Sequence, residues 1–359
     1  MTSKSFYEWA EVVAQEKNLS LEDVMSKVGT ALKKACALEG FSGEIEVEFN
    51  YEKKEIKITE YKYVVAEIDP EGPNGQITLD EAKAIKERVK VGSVIKTRIK
   101  IEKHIGRKGA SQFKQVFSQG LKELGRKRAY EFFKEHEDEM ITARVVRVLE
   151  DAYILSIGLD YDAYMPKKEA LPNETLEVGE NIKVYITKVE ETGKGPKVYV
   201  SRKHVGIVKR LFEMAVPEIA DGTIEIVAMA RDAGYRTKIG VRSTNPNVEA
   251  KGACVGLQGA RIKQINQALN DERVDIFVWN DDPVQLIAQS ISPAKALSVL
   301  VYPELRQALI IVPDMQYSLA IGKAGQNARL ASQVTGWKID IKDESTAYRE
   351  KIKFKINVL

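Results

Sequence analysis

Two short stretches decide how this chain is read: Cys254-Val-Gly-Leu-Gln-Gly-Ala-Arg-Ile-Lys263 and Leu319-Ala-Ile-Gly-Lys-Ala-Gly-Gln-Asn-Ala-Arg329. Each carries Gly-x-x-Gly between two segments of helical periodicity. A single glycine pair at that spacing arises often by chance, so the surroundings carry the reading. Outward from each loop the same order of elements recurs: helix, two alternating strands, helix, glycine loop, helix, strand. In the first copy the leading helix, the two strands, the loop, the helix after it and the last strand fall at 208–215, 223–230, 235–242, 256–259, 260–269 and 274–279. In the second they fall at 284–292, 297–302, 307–312, 322–325, 326–334 and 337–341. Two copies of one order indicate a duplicated unit.

A helix–Gly-x-x-Gly–helix–strand unit is the K-homology (KH) pattern, here in its αββααβ, type II order, whose loop clamps the backbone of about four nucleotides. The chemistry explains the residue types. Glycines remove the Cβ atoms that would hold a sugar-phosphate chain away, and they permit the tight turn. The turn opens a helix N-terminus, where unpaired N–H groups and the helix dipole favour a phosphate. The candidate RNA contacts are therefore Gly256, Leu257, Gln258 and Gly259 in the first loop, and Gly322, Lys323, Ala324 and Gly325 in the second. Arg261 and Arg329 follow the loops and extend a positive track, with Asn327 beside the second. Lys323 puts a cation in the second loop where the first has neutral Leu257 and Gln258. The second loop is thus expected to carry more of the salt-sensitive affinity. The plain alternative is a pair of helix–helix turns with no ligand.

Upstream, residues 139–203 read as short alternating strands at 141–148, 152–157, 181–189 and 198–201, separated by turns such as Leu171-Pro-Asn and Gly193-Lys-Gly-Pro196. That spacing suggests a small all-β barrel of the OB type. Tyr153, Tyr161 and Tyr164 lie in or beside its second and third strands, where barrels that bind single strands present stacking surfaces. Half-buried tyrosines without a ligand are the alternative. Tyr153, Tyr164 and Arg202, at the barrel's exit, join the candidate RNA contacts.

Residues 1–138 read as a mixed α/β unit. Val24, Met25, Val28, Ala31, Leu32 and Ala35 recur at helical spacing behind the cap signature Ser20–Asp23. The segments 44–49 and 55–59 alternate strictly across a turn at 50–54 and form a hairpin. A short helix near 80–88, a strand near 93–101 and a helix over 111–134 follow. From Lys96 to Arg128 the chain is dense in Lys and Arg, then turns acidic at 135–139; a contact surface and a solvated helix face both fit. The expected architecture is a multi-domain α+β chain: an N-terminal adaptor (1–138), the barrel (139–203), two KH domains (204–280 and 281–349) and a tail (350–359).

Bulk properties bound the function. The net charge of +3 on 359 residues is too small to prove a nucleic-acid partner. Two cysteines, Cys36 and Cys254, and three scattered histidines offer neither metal-ligand spacing nor a disulfide framework, so no metal or cofactor is expected. Both cysteines read as small buried hydrophobes. The start lacks a basic and apolar leader, and no window is apolar enough for a membrane span, which points to a cytoplasmic protein. No phosphate-binding loop, nucleophile elbow, zinc-protease motif or dinucleotide fingerprint occurs. His104-Ile-Gly-Arg superficially resembles a synthetase signature but lacks the second histidine, so no catalytic residue is expected.

The run Gly195–Arg202, with Leu211-Phe-Glu213, Val216-Pro-Glu-Ile219, Arg236-Thr-Lys238, Gly252-Ala-Cys-Val-Gly256, Gly259-Ala-Arg261 and Ile321-Gly-Lys-Ala-Gly-Gln-Asn327, closely resembles the bacterial NusA family of transcription elongation, termination and antitermination factors. The likeness spans essentially the whole chain and is densest over 195–342. It departs at Glu249-Ala-Lys251, where the family reads Asp-Pro-Val, and at Gln258, where a basic residue is common. The acidic C-terminal repeats of some members are not expected. The resemblance implies an N-terminal domain that binds RNA polymerase, a barrel and KH domains that hold nascent single-stranded RNA, and joint action with other Nus factors, as a monomer. An RNA-decay or ribosome-maturation factor, which also combines such domains, is the competing reading.

Overall fold

The computed structural model describes residues 3–72, 74–172 and 174–358. Asn173, within the expected Leu171-Pro-Asn turn, lies outside them. The chain forms two compact units, one running to Ala129 and the other starting at Tyr130.

The first unit runs α1 (Ser3–Glu16), α2 (Leu21–Leu38), β1 (Glu44–Asn50), β2 (Glu55–Val65), β3 (Gln76–Thr78), α3 (Leu79–Ile85), β4 (Val94–Ile99), α4 (Ile101–His104) and α5 (Arg107–Glu135), the last continuing into the second unit. The Ser20 side chain accepts from the Asp23 N–H and starts α2. The apolar stripe Val24, Met25, Val28, Ala31 and Leu32 is buried against Tyr7, Ala10 and Ile58. Strand β2 lies between β1 and β4, antiparallel to both, and continues into a short parallel pairing with β3. Helix α1 is not among the elements expected from periodicity. Phe6, Tyr7, Ala10 and Ala14 occupy one face of it, and docking of that face on the core holds the helix.

The long α5 begins without a cap residue of its own. The Glu39 carboxylate, just past α2, accepts from the Gly106 and Gly109 N–H groups at 3.0 and 2.7 Å. A Cβ on Gly109 would sit 2.7 Å from that carboxylate, so the approach requires glycine. A charged acceptor at a helix N-terminus also suits the helix dipole.

The second unit opens with β5 (Met140–Val148), β6 (Ala152–Ser156), β7 (Asp162–Pro166), β8 (Asn181–Thr192) and β9 (Gly195–Ser201), closed in the order β5-β6-β7-β9-β8 with only β7 and β9 parallel. This is the five-stranded OB arrangement. Alternation in the sequence resolves four of these strands; β7 has five residues, and its in–out pattern emerges only once it pairs with both β6 and β9.

The first KH domain comprises α6 (Gly206–Ala215), α7 (Pro217–Ala220), β10 (Ile224–Asp232), β11 (Arg236–Ser243), α8 (Ala250–Val255), α9 (Ala260–Ala268) and β12 (Arg273–Val278). The second comprises α10 (Pro283–Ser290), β13 (Ser298–Tyr302), β14 (Gln307–Val312), α11 (Tyr317–Ile321), α12 (Gln326–Thr335) and β15 (Lys338–Asp343), followed by α13 (Glu344–Arg349). Both sheets share one topology: the middle strand is antiparallel to the first and parallel to the last. Ile207, Leu211, Phe212, Ile239, Val241 and Ile265 fill the first core; Ile287, Val299, Ile310, Val312 and Ala331 fill the second.

The two KH domains share a further apolar cluster. Ala230 and Phe277 of the first sheet pack with Leu286, Leu330 and Val334 of α10 and α12. Beside it the Lys238 ammonium, fully buried, donates to the Ser292 carbonyl of the second domain at 2.7 Å and pairs with Asp275 at 3.2 Å. Burial lowers its pKa to about 8, against the opposing pull of Asp275. Cys36 and Cys254 are both buried, and burial pushes each thiol up to about 11. Among the described residues no helix is long and apolar enough to cross a membrane, and no group of acidic, histidine and cysteine side chains could hold a metal ion.

Candidate nucleic-acid interface

The two glycine loops adopt one backbone conformation. Gly256 and Gly322 have φ/ψ of 74/172° and 76/173°; Gln258 and Ala324 are left-handed at φ 51° and 52°; Gly259 and Gly325 follow at φ 76° and 75°. The glycines of each pair are needed for different reasons. A Cβ on Gly256 would lie 2.7 Å from the Arg261 Cγ, and one on Gly322 would lie 2.8 Å from the Asn327 backbone nitrogen. Gly325 faces open space, so only its positive φ calls for glycine there. The left-handed non-glycine residue in each loop stores about 1–2 kcal/mol. The same left-handed position recurs at equivalent places in the two loops.

Each second glycine immediately precedes a helix of nine or ten residues, α9 or α12; no side chain caps either one, and the first N–H of each donates back to the Leu257 or Lys323 carbonyl of its loop. An anion seated there gains both donors and dipole. Leu257, Gln258, Lys323 and Ala324 are all exposed at the loop apices. The loops thus bring together eight of the residues singled out in the sequence as two repeated, open turns.

Other candidates are placed differently. The Arg261 guanidinium donates to the Ala253 carbonyl at 2.6 Å and pairs with Glu218 at 3.0 Å, closing the turn behind the first loop. Arg329 is exposed but paired with Asp232 of the first KH domain at 2.9 Å. Asn327 is buried, its amide donating to the Ile291 and Ala320 carbonyls at 3.0 and 2.9 Å. It shapes the second loop from beneath. Arg202 is buried between barrel and KH domain: Nε and Nη2 grip Glu174 at 2.8 and 2.6 Å, Nη1 donates to the Lys183 carbonyl, and Nη2 reaches the Ala268 carbonyl of α9. Next to it Arg231 grips the fully buried Glu272 and donates to the Arg202 and His204 carbonyls. This network joins barrel to KH domain and leaves Arg202 no free donor edge for a phosphate.

On the barrel, Tyr153 is buried and Tyr164 half-buried. Tyr164 sits opposite Tyr199 across the parallel β7–β9 pair. The Lys197 ammonium lies 4.7 Å from the Tyr199 ring centre and 5.9 Å from that of Tyr164. Two aromatic rings with a shared cation form a surface suited to a base and its phosphate. Lys197 and Tyr199 are not among the residues singled out in the sequence. Their two-residue spacing on β9 is the available signal, but only strand pairing puts them beside Tyr164.

Comparison with known proteins agrees with the fold. Protein-family models match at residues 5–127 (NusA N-terminal domain), 202–279 (NusA-like first KH domain) and 283–349 (NusA-like second KH domain). A transcription termination/antitermination protein NusA from Bacillus subtilis is 42% identical over 337 residues, covering 94% of this chain and 90% of its own. The chain belongs to the NusA family. NusA proteins from Halalkalibacterium halodurans (40% identical; 96% of this chain, 90% of theirs) and Thermus thermophilus (35%; 95% and 90%) match over the same extent. The short gap between the two NusA-like KH models, at 280–282, holds the Asp282 cap of α10 and the Asp281–Arg242 ion pair.

Proposed function

We propose that this protein is an RNA-binding transcription factor that works as its NusA relatives are named to do, in termination and antitermination. The observation that carries the reading is the pair of conformationally identical glycine loops, each at the N-terminus of a helix, in tandem KH domains of the NusA kind. In this reading nascent single-stranded RNA lies along the loops and the Lys197–Tyr199–Tyr164 face of the barrel. Phosphates meet helix N-termini and Lys323; bases stack on the tyrosines. The residues up to about 138 act as the adaptor for RNA polymerase, and other Nus factors join on the same RNA. The protein acts in the cytoplasm as a monomer, by binding, with no reaction of its own. Loop contacts made mainly through backbone N–H groups favour the single-stranded backbone over any one base sequence.

The test is affinity capture of the full-length protein from its own cells, followed by transcription across an intrinsic terminator with the homologous polymerase. Recovery of RNA polymerase, and a change in termination that the Lys323→Asp/Ala324→Asp variant abolishes, support the proposal. Recovery of ribonucleases or ribosomal subunits in place of polymerase would favour RNA decay or ribosome maturation.

A further inference from the structure

Asp232 ends β10 in the first KH domain, yet its carboxylate serves the second. Oδ2 accepts from Gln326 Nε2 at 2.7 Å and from Arg329 Nη2 at 2.9 Å. Gln326 is the first residue of α12, directly after the second glycine loop, and Arg329 lies one turn on along the same helix face. One carboxylate therefore holds two of the polar side chains that would otherwise face a phosphate at this helix N-terminus. The first loop has a parallel arrangement, in which Glu218 of α7 holds Arg261. The arginine after each loop is already engaged by a carboxylate of the first KH domain.

The sign of the effect follows from electrostatics. A carboxylate beside the N-terminus of α12 takes up the positive end of the helix dipole that a phosphate would use, and it neutralises the nearby guanidinium. Asp232 and Arg329 are 32% and 55% exposed, so the pair is solvent-screened and weak enough to exchange with a competing anion. We propose that Asp232 is a latch: it withholds Arg329 and Gln326 from single-stranded RNA and thereby limits affinity, keeping the clamp releasable while RNA moves past. Asp232 is a positioning residue that acts through Arg329. The inference rests on the reading that the second loop holds RNA.

The test uses the full chain with Asp232→Asn, which retains an acceptor for Gln326 and Arg329 but removes the charge. Binding of a fluorescein-labelled oligouridylate is followed by anisotropy through a salt titration, with thermal midpoints measured alongside. Affinity rises about 1.4- to fivefold, the span of an exposed charge pair. The salt dependence steepens by roughly 0.7, one added phosphate contact on a single strand. Both gains disappear in Asp232→Asn/Arg329→Gln, an outcome that a merely structural role for Asp232 would not produce. Should the Asn variant melt well below the parent, Asp232→Ser is read in the same way. Unchanged or weaker binding by the charge-removed variant, while Lys323→Asp/Ala324→Asp still releases RNA, overturns the latch and leaves the clamp standing. If the loop variant also binds as the parent does, the clamp itself is refuted and the latch with it.

Discussion

Replacing Arg202 by Met separates a structural arginine from an RNA-binding one. The side chain is 4% exposed and makes two bonds to Glu174 and one each to the Lys183 and Ala268 carbonyls. Methionine fills much of the volume but leaves the Glu174 carboxylate, itself 9% exposed, without its cation. Breaking one side of a buried pair costs about 3–5 kcal/mol, because the remaining charge is desolvated and uncompensated. For a unit of this size each kcal/mol lowers the melting midpoint by about 2–4 °C, so a fall on the order of 10 °C is expected by calorimetry. The Arg202→Met/Glu174→Leu double variant should recover much of that stability, since it removes both charges together. The slope of RNA affinity against salt should stay at the parent's value at temperatures where the variant is folded. A variant that melts within about 2 °C of the parent and binds RNA with a shallower salt slope would refute this assignment and return Arg202 to the RNA surface.

Introducing Asp at both Lys323 and Ala324 should weaken oligoribonucleotide binding and reduce the salt slope by roughly 0.7 for each phosphate no longer neutralised; the same change at Leu257 and Gln258 should weaken binding by repulsion with less effect on the slope. Circular dichroism of each variant checks that the fold is intact. Glu39→Gln should loosen the start of α5 by about 1 kcal/mol, seen as faster hydrogen exchange at the Gly106 and Gly109 amides, its two direct donors. Lys238 supplies a pH dependence with a defined sign. Its folded pKa of about 8 lies below the ordinary lysine value of 10.5, so the unfolded chain binds more protons between those values and stability from this group rises with pH across that window. Denaturant titrations of the parent and Lys238→Met should diverge there, the parent gaining by up to about 1.4 kcal/mol per pH unit, and should run parallel below pH 8.

The repeat, its order of elements and both glycine loops were legible in the sequence because they rest on short-range physics. Alternation in the segment 44–49 and helical spacing behind the Ser20–Asp23 cap state which face is buried without reference to a partner, and a strand and a helix form where that reading puts them. Positive φ at Gly322 and Gly325 is likewise a local demand of a turn between two helices. The fate of the charged and polar side chains was not legible, because it depends on what lies opposite. Arg202, Arg261, Asn327 and Arg329 all look like RNA contacts from their places beside a loop or a strand end. Folding puts Glu174, Glu218, the Ile291 carbonyl and Asp232 against them, partners that are 28, 43, 36 and 97 residues away along the chain. Burial decided the rest: a guanidinium enclosed with a carboxylate must keep it, since leaving either charge unpaired inside the protein costs more than an exposed phosphate contact returns. Composition and spacing located the two glycine turns, and only the tertiary structure told which of the charged side chains beside them are already paired.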